Sequence, residues 1–174
     1  LYDFNFSVNN GMFKDKESNV KFRETNLQGR ITNGTERNLR TTKLTLESFE
    51  TATSEGTISG KLAIENFKKP LYEYSGKLSL DLTETLELLK TNELIQAEGN
   101  IAATLFVKGE LIEVGKYTLM DWKRSQIEGQ LDLRDLKFGF KSRPQKINAL
   151  NGKLSFNNNS LAISELEGSI DNTK

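Results

Sequence analysis

The stretch Gly76-Lys77-Leu78-Ser79-Leu80-Asp81-Leu82 decides the fold class, because apolar and polar residues alternate along it after a leading glycine. Period-two alternation is typical of a β-strand with one apolar and one polar face, since successive side chains point to opposite sides of a sheet. The same arrangement recurs at seven other glycines: Gly29, Gly60, Gly99, Gly109, Gly129, Gly152 and Gly168. The recurrence predicts an all-β protein.

Turn signals separate these strands. Asn10-Gly11 and Asn33-Gly34 are dipeptides typical of tight hairpins, and Asn157-Asn158-Asn159 predicts a further turn. Each leading glycine is predicted to permit a positive φ or a bulge where the chain bends into the next strand. These signals predict a long antiparallel meander of roughly ten to twelve strands.

One segment departs from the alternation and predicts a short helix near residues 82–90. Three leucines recur there at helical spacing: Leu82, Leu86 and Leu89. Asp81 and Glu84 are placed like a capping pair at its start. Glu84 and Glu87 are expected on its exposed side.

The composition is that of a folded chain without a strong charge. Its 174 residues are 36% hydrophobic and 28% charged, and 24 Lys and Arg balance 24 Asp and Glu. This balance argues against nucleic acid as a partner, because nothing favours a phosphate backbone electrostatically. Strand-like alternation begins at once and continues to the last residues. We therefore expect residues 1–174 to form a single β-rich segment, a fragment of a longer repetitive β-groove protein.

Histidine and cysteine are both absent, which excludes Ser-His and Cys-His catalysis and zinc sites built on these side chains. The string Gly56-Thr57-Ile58-Ser59-Gly60-Lys61 has neither the spacing of a nucleophile elbow nor that of a P-loop. A hydrolase that uses carboxylates alone stays open as an alternative, with Asp132 and Asp135, or Glu84 and Glu87, as a candidate pair. Alternation, however, places Asp132 on a solvated strand face. We predict a protein without catalytic residues, metal or cofactor.

The apolar strand faces must be covered by something. A closed barrel, a two-sheet sandwich and a curled open sheet would each cover them. The predominance of leucine and isoleucine and the alternation at both ends favour a curled, groove-like open sheet, or half-barrel. Contiguous exposed apolar surface usually marks a binding function, and lipid acyl chains are its natural occupants.

The predicted lining of this groove consists of every-other-residue positions of the strands: Leu62, Ile64, Leu78, Leu80, Ile101, Leu105, Leu131, Leu133, Leu154 and Phe156. The same side chains would equally suit an ordinary dry core. The residues alone leave these two interpretations open.

The carboxy-terminal third carries a family resemblance. Glycine-led strands at Gly129 and Gly152, the asparagine-rich turn at residues 157–159 and the closing Leu166-Glu167-Gly168 resemble the carboxy-terminal region of the AsmA-like family of envelope proteins. The segment from Gly76 through the predicted helix to Gly109 is similar to that family's strand, short helix and return strand.

The resemblance implies a protein of Gram-negative bacteria that is anchored to the inner membrane by a segment not present in this chain. Its β-rich body would project into the periplasm and serve outer-membrane biogenesis or phospholipid transport. A phospholipid or another acyl-chain lipid, together with other envelope proteins, would be its partners. The family offers no catalytic residues to carry over.

A second hypothesis is a structural or adhesive β-protein module that binds protein or glycan partners. Its signature would be exposed aromatic residues at loops. Tyr72, Tyr74 and Trp122 are the candidates that the sequence supplies.

Overall fold

The computed structural model describes residues 2–14, 20–88, 93–111 and 123–172. Strands make up 75% of these residues, and nine antiparallel strands form one open, curled sheet. This confirms the all-β meander, with nine strands in the described residues where ten to twelve were predicted. The strands are β1 (Asp3–Lys14), β2 (Lys21–Thr32), β3 (Lys43–Ala52), β4 (Thr57–Glu65), β5 (Leu71–Asp81), β6 (Leu94–Glu110), β7 (Gln126–Phe140), β8 (Arg143–Asn157) and β9 (Leu161–Asn172).

The strand order in the sheet is the order in the chain. Each described strand pairs with its sequence neighbours, from β1 at one edge to β9 at the other. Antiparallel neighbours can be joined by short connections, so simple alternation along the chain is enough to build this topology. Because β1 and β9 are not paired with each other, the sheet is not a closed barrel.

The single helix among the described residues, α1 (Leu82–Leu88), begins as predicted. Asp81 Oδ1 accepts a hydrogen bond from the backbone N–H of Thr83 at 2.7 Å, which is the geometry of an N-cap. The side chain of Leu82 is buried, and Glu87 is exposed as expected. Leu89 lies outside the described residues.

The prediction that Glu84 is an exposed capping partner is wrong. Its side chain is buried, and its carboxylate accepts hydrogen bonds from the Thr53 hydroxyl at 2.5 Å and the Ser54 backbone N–H at 2.8 Å. Both donors lie in the connection between β3 and β4. The carboxylate therefore ties α1 to this connection and does not turn back to the first turn of the helix.

The bulges of the sheet lie mostly at residues other than the leading glycines; among these glycines, Gly99 has a positive φ and lies at a register shift, as predicted. Six non-glycine residues inside strands have positive φ: Asn10, Glu24, Gln96, Asp135, Ala149 and Glu165. Asn10-Gly11 accordingly forms a bulge inside β1 and not a hairpin, so that prediction is wrong. Asn33-Gly34 opens the connection at residues 33–42, which is longer than a tight hairpin. The turn at residues 157–159 is confirmed by the Asn157 N–H, which donates to the Ser160 carbonyl at 3.0 Å.

An asparagine side chain fixes the bulges that β1 and β2 share. Asn26 Oδ1 accepts from the backbone N–H of Asn10 at 3.0 Å, and Asn26 Nδ2 donates to the carbonyl of Glu24 at 2.9 Å. The asparagine amide thus bridges two positive-φ residues on neighbouring strands. It satisfies backbone groups that the interrupted ladder leaves without partners.

The same arrangement recurs between β7 and β8. Asn151 Oδ1 accepts from the backbone N–H of Asp135, and Asn151 Nδ2 donates to the carbonyl of Ala149, both at 2.9 Å. Two distant parts of the sheet therefore use one local device to bend their strands.

Some of the leading glycines are required by close approach of neighbouring backbones. Gly60 and Gly76 face each other across β4 and β5. A Cβ atom on Gly76 would lie 2.1 Å from the Ser59 carbonyl oxygen, and one on Gly60 would lie 2.4 Å from that of Ser75. No larger residue fits this geometry without a backbone shift.

The fully buried core is small. A compact protein of 19.7 kDa is expected to expose about 8600 Å². This chain exposes 11644 Å², which is roughly a third more and fits an open sheet. Buried hydrophobic residues among those described are Val20, Tyr72, Leu80, Leu82, Ala103, Val107, Ile127 and Leu136.

Candidate functional site

The predicted lining residues lie on one face of the sheet. Leu80 pairs with Ile101, and Ile101 pairs with Leu133, so β5, β6 and β7 contribute one row. Leu131 and Leu154 form a direct pair in the next row, across β7 and β8. Directly opposed residues point to the same side of a sheet.

The remaining predicted residues join the same face through their partners. Leu62 pairs with Tyr74 and Ile64 with Tyr72, and both tyrosines are an even number of positions from Leu78 in β5. Leu105 is four positions from Ile101 in β6, and Phe156 is two positions from Leu154 in β8, so both lie on the same face. We call the surface formed by the ten predicted residues the apolar face.

Most of the apolar face is only partly covered. Leu80 is 2% exposed, whereas the other nine residues of the face are intermediate in burial. In a sealed core, such side chains would be nearly inaccessible. A dry cluster exists locally, where Tyr72, Val107 and Ile127 pack together with Phe156 against them. The apolar face is thus partly open, with one packed region.

Sequence reasoning missed Tyr72 and Tyr74 as members of this face. The prediction of exposed loop aromatics is wrong for both, because Tyr72 is buried and Tyr74 is half-buried, inside β5. The Tyr72 hydroxyl pairs with the Ser125 hydroxyl at 2.5 Å, which satisfies both groups in an apolar setting. Burial raises the pKa of Tyr74. Their phase with Leu78 was the available signal, whereas Trp122 lies outside the described residues.

The apolar face continues to both edges of the sheet, where it is most exposed. Leu161 and Ile163 in β9 face Phe156 and Leu154 and are 61% and 52% exposed. Phe4 in β1 is 58% exposed. Large apolar side chains in water at an edge are unusual unless something covers them.

Glycines on the apolar face are overhung by their large neighbours. Gly129 faces Leu105 on one side and Phe156 on the other. A Cβ atom there would lie 2.8 Å from Leu105 Cδ2 and 3.0 Å from the Phe156 ring. The missing side chain is therefore replaced by contacts from adjacent strands, which keeps the floor of this face apolar.

The opposite face of the sheet is polar and carries ion pairs between neighbouring strands. Lys108 Nζ lies 2.9 Å from a Glu73 carboxylate oxygen, and Lys137 Nζ lies 3.3 Å from one of Glu98. Such exposed cross-strand pairs contribute little energy but favour this register over shifted ones. The charges cancel pair by pair, so this face has no strong field of either sign.

The candidate carboxylate pair shows a structural arrangement. Asp132 is on the polar face and accepts a hydrogen bond from Arg134 Nη2 at 2.7 Å, which lowers the pKa of this carboxyl. Asp135 is the positive-φ bulge residue held by Asn151. Both groups therefore have structural partners. No group of three metal-ligating side chains occurs in the described ranges of the chain.

Comparisons with family models, curated proteins and solved structures gave no match to this chain. In the described part of the chain, no helix is long and apolar enough to cross a membrane.

Proposed function

We propose that this chain is a non-catalytic envelope protein that binds lipid acyl chains on its apolar face, in outer-membrane biogenesis or phospholipid transport. The observation that carries the proposal is the partial exposure of nine of the ten residues of that face. A stable protein that leaves an apolar face open to water gains free energy when an apolar ligand covers it.

The size of the apolar face supports this proposal. The ten residues of the face lie on five strands, β4 to β8, and four steps of about 4.8 Å make the face about 19 Å wide across them. The hydrocarbon core of a bilayer is about 30 Å thick and holds two layers of acyl chains, so one chain reaches about 15 Å and fits along the rows of leucines. Each buried CH₂ group contributes about 0.8 kcal/mol to binding.

Charge supports a ligand held by its acyl chains. The chain has a formal net charge of zero, and the ion pairs of the polar face are neutral overall. Attraction to an anionic headgroup is therefore weak, and the headgroup stays in water. We expect lipids with different headgroups and similar chains to bind with similar affinity.

The place of the protein in the cell follows from the resemblance to the AsmA-like family. We assign it to the periplasm of a Gram-negative bacterium, anchored to the inner membrane by a segment outside this chain, with other envelope proteins among its partners. Protease accessibility in spheroplasts tests this assignment. Degradation without lysis of the inner membrane supports it, and full protection contradicts it.

The structural or adhesive alternative has less support. It required aromatic residues exposed at loops, and Tyr72 and Tyr74 are instead part of the sheet.

Lipid extraction and a matched pair of variants test the proposed function. Protein purified without detergent is extracted for lipid mass spectrometry, and binding of a fluorescent-acyl phospholipid is titrated. Leu154→Gln places an amide on the apolar face, whereas Ser155→Gln places the same amide on the opposite face of β8. We expect the unmodified protein to copurify with phospholipid. Of the two variants, only Leu154→Gln should bind the fluorescent phospholipid more weakly. Absence of lipid together with absence of titratable binding would refute the proposal.

A further inference from the structure

The polar face has a cavity of its own. It has a volume of about 910 Å³ and is lined by residues from β3 through β9. Its polar side chains occupy the positions between those of the apolar face and so belong to the other side of the sheet; of the ten residues of the apolar face, Leu105 and Phe156 also border it. We call this whole cavity the polar valley; its polar lining residues include Ser59, Ser75, Lys77, Thr104, Gln130 and Ser155.

The floor of the polar valley is rich in small hydroxyl groups. Ser75 and Thr104 are exposed strand residues, and Ser155 lies farther along the valley with the same exposure. Each hydroxyl can donate and accept a hydrogen bond. Each is also accessible, so that a ligand group can take the place of water bound to it.

The walls of the polar valley are charged but balanced. The charged lining residues are two lysines, Lys61 and Lys77, and two glutamates, Glu47 and Glu128. Two positive and two negative groups favour neither a polyanion nor a polycation. The chemistry therefore suits an uncharged ligand that is bound by hydrogen bonds.

Phe106 is an exception on this polar surface. It lies between Ser75 of β5 and Glu128 of β7, lines the polar valley and is partly buried. Three consecutive apolar residues, Leu105, Phe106 and Val107, break the alternation at this point. The aromatic ring offers an apolar platform among hydroxyl and amide groups, with a partly negative face that attracts C–H groups.

We propose that the polar valley binds a neutral linear oligosaccharide. A sugar ring has C–H groups on its faces and hydroxyls around its rim, which match Phe106 and the surrounding serine, threonine and glutamine side chains. The valley crosses seven strands, and six steps of about 4.8 Å make it about 29 Å long, which suits a chain of several sugar rings. This inference is independent of the lipid proposal, because it concerns the other face.

Titration calorimetry with three neutral hexasaccharides tests the inference: maltohexaose, cellohexaose and hexa-N-acetylchitohexaose. We expect at least one to bind the 174-residue chain, with an affinity that is nearly unchanged between low and high salt. Phe106→Ala is expected to weaken that binding about 10-fold, because the stacking platform is removed. Phe13→Ala, at an exposed phenylalanine of β1, is the matched control and should bind as the unmodified chain does.

A second variant keeps the test decisive if Phe106→Ala does not fold. Ser75→Ile removes a hydroxyl and fills the floor of the polar valley with a branched aliphatic side chain that strands accept, and it should abolish binding. Failure of all three sugars to bind at millimolar concentration overturns the inference. Binding that survives both variants, or binding of a neutral Gly-Ser peptide in place of the sugars, overturns it as well.

Discussion

The buried carboxylate of Glu84 accepts a hydrogen bond from the hydroxyl of Thr53, at 2.5 Å across 31 residues of sequence. This contact joins α1 to the connection between β3 and β4. The strands β4 and β5 lie between the two in the chain. The structure therefore anchors the helix through one polar side chain as well as through its buried leucine.

We predict that Glu84→Ala lowers the free energy of unfolding by about 2 kcal/mol, because a buried charged hydrogen-bond acceptor is lost and its donors lose their partner. Glu87→Ala, on the exposed side of the same helix, should change it by less than about 0.5 kcal/mol. Urea denaturation of both variants measures the difference. Equal effects would show that the contact between Glu84 and Thr53 does not contribute to stability.

Gly76→Ala should destabilise the sheet by about 1–3 kcal/mol, because the new Cβ meets a backbone carbonyl that cannot move independently. Gly168→Ala in the edge strand is the matched control, since its Cβ would lie 3.2 Å from its nearest neighbours. Thermal unfolding followed by circular dichroism compares the two. A larger loss at Gly168 would contradict the close approach of β4 and β5.

Asn151→Ala should cost about 1 kcal/mol, because it removes both hydrogen bonds that hold the paired bulges of β7 and β8. Asn26→Ala should cost a similar amount at the other end of the sheet. Hydrogen exchange of the Asp135 amide offers a local measurement, since this N–H donates to Asn151. Faster exchange in the Asn151 variant is expected. Unchanged protection would contradict the bridging role.

The ion pair between Asp132 and Arg134 predicts a pH dependence of defined sign. The hydrogen bond from Arg134 holds the pKa of Asp132 below its ordinary value of 3.8. Its contribution is therefore present above about pH 4 and is lost as the pH falls through the lower folded-state pKa. Because the Arg134 side chain is 64% exposed and that of Asp132 is 34% exposed, the effect is small. Asp132→Asn should flatten this part of the acid stability profile, and an unchanged profile would argue against the pair.

The fold class could be predicted from the sequence because alternation is a local property. Leu78 and Leu80 lie on the same face of any strand that contains both. Only the register, which decides their partners on the neighbouring strands, had to come from the structure. The structure confirmed this for the all-β sheet. The location of bulges was less predictable, because Asn10-Gly11 favours positive φ in a hairpin and in a bulge alike.

Long-range contacts account for the wrong predictions. Local spacing identified Glu84 as an exposed capping residue. Its hydrogen-bond partner Thr53 is 31 positions away, so a pattern of neighbouring residues could not show that the Glu84 side chain is buried. Tyr72 was considered as an exposed loop aromatic, although its phase with Leu78 already placed it on the apolar face. Phe106 was missed as an apolar residue of the polar face because its neighbours Leu105 and Val107 already fit the alternating pattern of the strand.

Photocrosslinking tests the central claim that acyl chains bind the apolar face. A phospholipid with a diazirine in its acyl chain is incubated with the protein, illuminated, and its attachment sites are mapped by mass spectrometry. We predict attachment at Leu131, Leu154 and Ile163 and none at Gln130 or Ser155, which lie on the opposite face. Attachment confined to the polar face, or no attachment at all, would contradict the claim.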